Sequence, residues 1–170
     1  MKSLAAALII FSCGGMGLII AGSYKQRVHH LRELIRFVQL LESEIHFART
    51  TLPKLIAGQA AHFSGAVGRF LTELKEALTA GTGESFASIW DQGLAILAQD
   101  GLPPEVLEEL HACGKVLGRS DAAEQSKHLK QLLYRLEQAL AAAERDQEKH
   151  LRLWQYLGFG AGLLLVLLLV

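Results

Sequence analysis

The chain has 170 residues, which is enough for one domain of ordinary size but too few for two independently stable cores. Its 17 Lys and Arg residues balance 17 Asp and Glu residues, so it lacks the positive field that holds nucleic acid on a protein surface. Hydrophobic residues make up 51% of the sequence and are concentrated at its two ends. This composition excludes a basic nucleic-acid-binding protein and indicates a polar domain with apolar termini.

The N-terminal segment Leu4–Ser23 contains no charged side chain. As a helix, its roughly 20 residues would span the hydrocarbon core of a bilayer, about 30 Å. A cleaved signal peptide is disfavoured, because cleavage after Ala21 would require a small residue where Ile19 stands. We therefore predict an uncleaved transmembrane anchor over residues 1–23.

A long amphipathic helix is predicted after this anchor. No Gly or Pro occurs between Ser23 and Pro53, so the helix should continue from the anchor without a break. Pro53 is typical of the first turn of a new helix, with the boundary at Thr51 or Leu52 and a threonine available as its cap. The apolar positions of the first helix recur three and four residues apart and are Leu31, Leu34, Val38, Leu41, Ile45 and Ala48.

Four shorter helices are predicted in the central region, and no segment alternates as a strand would. They cover about residues 53–61, 66–78, 84–97 and 104–115, the last beginning near Pro103 or Pro104. Thr82 is the predicted cap of the third of these helices. The apolar face of that helix is predicted to contain Phe86, Ile89, Trp90 and Leu94.

The last helix is predicted to begin at a capping box, in which Asp121 is followed three places later by Glu124. Gly118 would allow the turn before this cap. No helix breaker follows until Gly158, and the apolar positions of the helix are Leu129, Leu133, Leu136, Leu140 and Ala143. This face is expected to pack antiparallel against the first long helix.

A second transmembrane segment is predicted over residues 153–170, about 27 Å of helix with Trp154 and Tyr156 at headgroup depth. Basic residues next to the two spans lie on the side of the central region, and they place it in the cytoplasm by the positive-inside rule. Together with the aromatics, the predicted membrane-interface residues are Lys25, Arg27, Arg152, Trp154 and Tyr156.

The predicted architecture is all-α. An antiparallel cytosolic bundle of about six helices occupies residues 24–152, and its first and last helices continue into the transmembrane segments 1–23 and 153–170. Cys13 would lie in the membrane and Cys113 in a reducing compartment, so no disulfide is expected.

No catalytic, cofactor-binding or metal site is predicted. His111 and Cys113 are two positions apart and would point to different faces of a helix. The sequence lacks the H-E-x-x-H, C-x-x-C and phosphate-loop motifs. Glu42 and His46 are four apart, a spacing more typical of a surface pair than of a site.

A set of motifs spread along the chain resembles the stage III sporulation protein AB family. The motifs are Leu31-Arg32, Leu41-Glu42-x-Glu44-Ile45, Thr51-Leu52-Pro53, Leu117-Gly118-x-x-Asp121-x-x-x-Gln125 with Leu129, and Tyr156-Leu157-Gly158. Their order and spacing between two apolar ends make the resemblance fairly specific, and it covers essentially the whole chain.

The resemblance implies a protein of endospore-forming bacteria, placed in the mother-cell membrane around the forespore as part of a secretion-like channel. The soluble part of the family is similar to the cytoplasmic domain of type II secretion and type IV pilus platform proteins. The implied partners are the stage III sporulation protein AA ATPase, other components of the same complex and membrane lipid, with self-association as a further expectation.

Four polar residues are candidates for the partner surface: Glu42, Glu44, Asp121 and Gln125. Three of them have a competing structural role, because Asp121 can act as a helix cap and the two glutamates can pair with Arg32, Arg36 or Arg49. Two other functions stay open. One is a self-associating membrane scaffold without an ATPase partner, held together by glycine-faced spans, and the other is an extracytoplasmic lipoprotein processed at Cys13.

Overall fold

The structure, a computed structural model, describes the backbone of residues 2–45, 51–81, 83–117 and 121–169. Side chains are described for residues 22–45, 51–81, 83–117, 121 and 123–149. Within these ranges the chain forms helices and turns without a strand, which confirms the predicted all-α class. The helices are α1 (Lys2–Ser43), α2 (Leu52–Gln59), α3 (Gly65–Ala80), α4 (Phe86–Gln99), α5 (Pro104–Val116) and α6 (Ala122–Leu169), with a 3₁₀ turn at Ala60–His62.

The contacts of the chain divide it into two compact units. One contains residues 1–28 and 141–170, and the other contains residues 29–140. Helices α1 and α6 contribute residues to both units, whereas α2 to α5 lie wholly within the second. The second unit, residues 29–140, is the helical bundle described below.

In the residues that the structure describes, no helix combines the length and the apolar character needed to cross a membrane. This finding gives the two predicted spans no support. Apart from Gly22 and Ser23, the spans at 1–23 and 153–170 lie outside the residues whose side chains are described. The transmembrane segments therefore stay predictions.

Helix α1 contributes a broad apolar face to the bundle. Every predicted position from Leu31 to Ile45 is buried, and Ala48 lies outside the described residues. Ile35 and Phe37 are buried as well, so the face is wider than the predicted stripe. A wide face allows α1 to contact more than one neighbouring helix.

Helix α6 buries a face that departs from the prediction at two positions. Leu129, Leu136 and Ala143 are buried as expected. Leu132 is buried where the prediction has Leu133, and the predicted positions Leu133 and Leu140 are only half-buried. The difference arises because a 3.6-residue period drifts against a strict spacing of three and four, and only the neighbouring helix decides which position is covered.

The indole of Trp90 lies at the centre of the bundle and is 1% exposed. Its Nε1 donates a hydrogen bond of 2.9 Å to the Leu110 carbonyl of α5. The ring meets Phe70 of α3 edge-on with centroids 5.1 Å apart, and stacks on Phe37 of α1 at 6.4 Å. Because its one polar atom is satisfied, this large side chain joins four helices without a desolvation penalty.

Two glycines permit this packing. A Cβ atom added at Gly114 would lie 2.3 Å from Cδ1 of Trp90, and one added at Gly93 would lie 2.9 Å from the Phe70 ring. Both distances are far below van der Waals contact, so only a residue without a side chain lets the aromatic rings approach these helix backbones.

Helix ends follow the predicted chemistry at some positions and depart from it at others. Pro53 lies in the first turn of α2, but the Thr51 side chain makes no capping hydrogen bond. The cap of α4 is Ser85, whose Oγ accepts a hydrogen bond from the Ser88 backbone N–H at 3.2 Å. Thr82, the predicted cap, lies outside the described residues. Helix α4 therefore begins two residues later than predicted.

We expect Gly114→Ala to lower the free energy of unfolding by about 1–3 kcal/mol, because the new methyl group must displace the Trp90 ring. Gly58→Ala is the matched control, since Gly58 lies in α2 with no atom within 4 Å of an added Cβ, and it should be neutral or stabilising by up to about 1 kcal/mol. Denaturant unfolding of the full chain, followed by tryptophan fluorescence, measures both variants. Equal stability of the two would contradict the close approach.

Candidate partner-binding surface

Glu42, the first candidate partner residue, connects α1 to α6. Its Oε1 accepts a hydrogen bond of 2.9 Å from Ser126 Oγ and lies 3.7 Å from Lys130 Nζ. Ser126 is buried and the Glu42 side chain is only 21% exposed. A partly desolvated, charge-assisted hydrogen bond of this kind contributes to the fold, so Glu42 belongs to a contact between helices within the bundle.

The partners of Glu42 are not those that local spacing suggests. The sequence favours Arg32, Arg36 or Arg49, but Arg36 lies 3.8 Å from Glu33 and Arg49 is outside the described residues. Glu44, the second candidate, is half-buried and also interacts within the chain. Neither glutamate is therefore a fully solvated group awaiting a partner.

Asp121 caps α6. Its Oδ1 accepts a hydrogen bond of 2.8 Å from the Glu124 backbone N–H, which is the N-terminal cap geometry that the spacing predicts. Its carbonyl accepts the backbone N–H of Gln125 at 3.0 Å. Gln125 is half-buried and interacts within the chain, and Gly118 lies outside the described residues.

The predicted membrane-interface residues fall mostly outside the described side chains. Lys25 is exposed and Arg27 is half-buried on α1. The other three, Arg152, Trp154 and Tyr156, lie outside the residues whose side chains are described.

A groove of about 950 Å³ runs between α5 and α6. Tyr134, which is 61% exposed, lies in it, and the basic side chains lining it are Lys127, Lys130 and Arg135. Arg135 Nε is 3.5 Å from Glu109 of α5. We call this feature the α5–α6 groove.

A second groove, of about 400 Å³, lies on the other side of α5, against α4. Its apolar lining consists of Leu94, Ala95, Ala98 and Leu107. Its polar lining consists of Asp91, Glu108 and His111, and the His111 Nδ1 is 2.6 Å from the Asp91 carboxylate. We call this feature the α4–α5 groove.

Two titratable side chains of the bundle, His30 and Cys113, are buried. His30 is 2% exposed, its Nδ1 has no hydrogen-bond partner, and burial lowers the pKa of its imidazole, with Asp100 acting in the opposite direction. Burial raises the pKa of the Cys113 thiol to about 12, so it carries no reactive thiolate at neutral pH. Among the described residues no group of His, Cys, Asp or Glu side chains could hold a metal ion.

Comparison with known proteins gives a consistent result. The model of the stage III sporulation protein AB family matches residues 2–170. The stage III sporulation protein AB of Bacillus subtilis (strain 168) is 32% identical over 171 residues, covering all of this chain and 99% of that protein. The chain belongs to the stage III sporulation protein AB family. The resemblance carried by the sequence motifs is thereby confirmed.

The fold agrees with this family as well. A solved structure of a stage III sporulation protein AB superposes with a TM-score of 0.66 at 29% identity, covering 73% of this chain and 98% of that one. The sporulation assignment thus rests on sequence and on fold.

Several surface features of this family member were missed from the sequence. Ser126 and Lys130 belong to no recognisable motif. Their contacts with Glu42 are long-range, since Ser126 is 84 positions away from it in the sequence. The sequence offers one sign that Tyr134 is exposed: it is an aromatic residue of α6 that does not belong to the predicted apolar face. Its exposure depends on which face α6 buries, which spacing alone did not settle.

We expect the bundle to lose stability at acidic pH through His30. Its pKa is lowered from the ordinary value of 6.5 in the folded state, so its contribution is present above that value and is lost as the pH falls through it, because the unfolded chain then binds more protons. His30→Gln should flatten the dependence of unfolding free energy on pH as the pH falls below 6.5.

The control for this prediction is His62→Gln, since His62 is exposed. Denaturant titrations of the full chain at several pH values measure both variants. If His30→Gln keeps the native slope, protonation of this imidazole does not govern acid stability.

Proposed function

We propose that the protein is a membrane-anchored, non-enzymatic adaptor in a sporulation-specific, secretion-like channel between mother cell and forespore. In this proposal the bundle of residues 29–140 faces the mother-cell cytoplasm and engages the stage III sporulation protein AA ATPase. The two apolar ends of the chain anchor it in the membrane around the forespore. Membership of the family and the charge-free N-terminal segment support this placement.

The observation that carries the proposal is the Glu42 contact between α1 and α6. These two helices include the apolar ends of the chain, and Glu42 joins them inside the bundle. A helix transmits displacement along its axis better than a flexible linker does. Movement or clustering imposed on the bundle by an ATPase would therefore pass to both ends of the chain together.

The surface of the bundle supports an adaptor role. It offers two grooves beside α5, which suit protein contacts. In this proposal the functional residues therefore lie on the surface of the bundle.

The ATPase surface is tested by co-purification of the detergent-extracted full chain with the ATPase. We expect Glu44→Lys to lower recovery of the ATPase by about tenfold, because a reversed charge at an interface rim both loses attraction and adds repulsion. Lys54→Glu is the matched control, since it reverses a charge on an exposed residue of α2 that lines neither groove and leaves both candidate glutamates in place.

The outcomes separate binding from folding. If Lys54→Glu lowers recovery as much as Glu44→Lys, the effect comes from a general change of surface charge and not from the Glu44 surface. If a folded Glu44→Lys variant recovers the ATPase as well as the native chain does, this surface does not bind it.

The cytoplasmic placement has a test of its own. Native Cys113 is 3% exposed and would react poorly on either side of a membrane, so we choose Gln131→Cys on the exposed face of α6, in a chain carrying Cys13→Ser. A membrane-impermeant maleimide should label this cysteine only after the cells are opened. Labelling in intact cells would place the bundle outside the cytoplasm and would favour the lipoprotein alternative.

A further inference from the structure

Tyr134 is the large hydrophobic side chain with most exposure among the residues whose side chains the structure describes, at 61%. It makes no hydrogen bond or ring contact within them. Tyrosine and arginine are enriched in the central contacts of protein interfaces, and a tyrosine ring covers much apolar area at little cost in side-chain entropy. Tyr134 lies in the α5–α6 groove beside Lys127, Lys130 and Arg135.

The α4–α5 groove has the complementary chemistry. Its floor is aliphatic, formed by Leu94, Ala95, Ala98 and Leu107, and about 400 Å³ is room for an aromatic ring. Its acidic lining residues are Glu108 and Asp91, of which Asp91 already contacts His111. A tyrosine surrounded by cations on one surface and an aliphatic groove edged by carboxylates on another form a complementary pair.

The charges on the α5–α6 side are only partly neutralised within the chain. Lys130 lies 3.7 Å from Glu42 and Arg135 lies 3.5 Å from Glu109, both with the basic side chain more than half exposed. Such exposed pairs are weak and exchange readily. Lys127 makes no ion pair with a described residue, so this side keeps a net positive charge toward an approaching surface.

Tyr134 cannot enter the α4–α5 groove of its own chain. Glu108 lines the α4–α5 groove and Glu109 lines the α5–α6 groove, and neighbouring residues of a helix point about 100° apart. The two grooves therefore open on different sides of α5. Tyr134 can reach an α4–α5 groove only on another molecule, and a contact between two different surfaces repeats from copy to copy.

We propose that the bundle self-associates head to tail, with Tyr134 of one copy inserted into the α4–α5 groove of the next. The cations beside Tyr134 then face Glu108 and the Asp91–His111 pair of that neighbour. Such a heterologous contact forms a ring if its rotation closes and a filament if it does not. The inference does not depend on the proposed ATPase contact, because it uses neither Glu44 nor the cap of α6.

Site-specific crosslinking of the full chain tests this contact. Two variants are prepared with Cys13→Ser, one carrying Gln138→Cys beside Tyr134 and the other carrying Ala98→Cys in the α4–α5 groove; both positions are exposed. Treated with a short bismaleimide, the mixture should give at least about tenfold more dimer than either variant alone, and adding Tyr134→Ala to the first should remove most of it.

A second experiment exchanges the charges of two residues across the contact. A purely structural effect of either substitution would not be reversed by the other. Lys127→Glu in the first variant should lower crosslinking several-fold, and Glu108→Lys in the second should restore it, because the pair is then reversed. Lys54→Glu, on the exposed face of α2, is the control and should change nothing. Circular dichroism melts establish that each variant is folded.

Three results would overturn the proposal. The first is dominant crosslinking of Gln138→Cys copies to one another, which indicates a symmetric contact. The second is crosslinking that survives Tyr134→Ala. The third is absence of dimer in folded mixtures, and if Tyr134→Ala then lowers recovery of the ATPase, the groove binds that protein in place of a second copy.

Discussion

The bundle depends on the approach of the Trp90 indole to the backbone of α5. Its Nε1 reaches the Leu110 carbonyl, and Gly114 stands four residues further along the same helix face. An indole directed at that carbonyl must therefore pass over position 114, where any side chain would block it. The hydrogen bond therefore depends on the glycine, because a side chain at position 114 would displace the indole from the Leu110 carbonyl.

The position of Trp90 also determines where α1 can lie. Phe37 stacks on the indole, so this side of α1 faces the aromatic core. Glu42 follows five residues later, about 140° further around the helix, and meets Ser126 of α6. Helix α1 thus contacts the core through one side and α6 through another, which is why its buried face is wider than a single stripe.

Features set by local chemistry could be predicted from the sequence. Pro53 and Asp121 begin helices where expected, because a fixed φ and a side-chain acceptor act within a few residues. The choice of Leu132 over Leu133, the cap at Ser85 and the contact of Glu42 with Ser126 could not. Each depends on a neighbour distant in sequence or on competition between two similar local options.

The same distinction bears on which residues can bind a partner. A carboxylate already hydrogen-bonded within the fold, as Glu42 is, must lose that bond before it can gain another, so the exchange yields little net free energy. A side chain such as Tyr134, which is 61% exposed in the folded chain, can bury that remaining surface on association without first losing a hydrogen bond to a described residue. Binding surfaces of this bundle are therefore better sought among the groups that folding leaves unused than among the charged motifs along its helices, because those motifs are largely occupied by the contacts that build it.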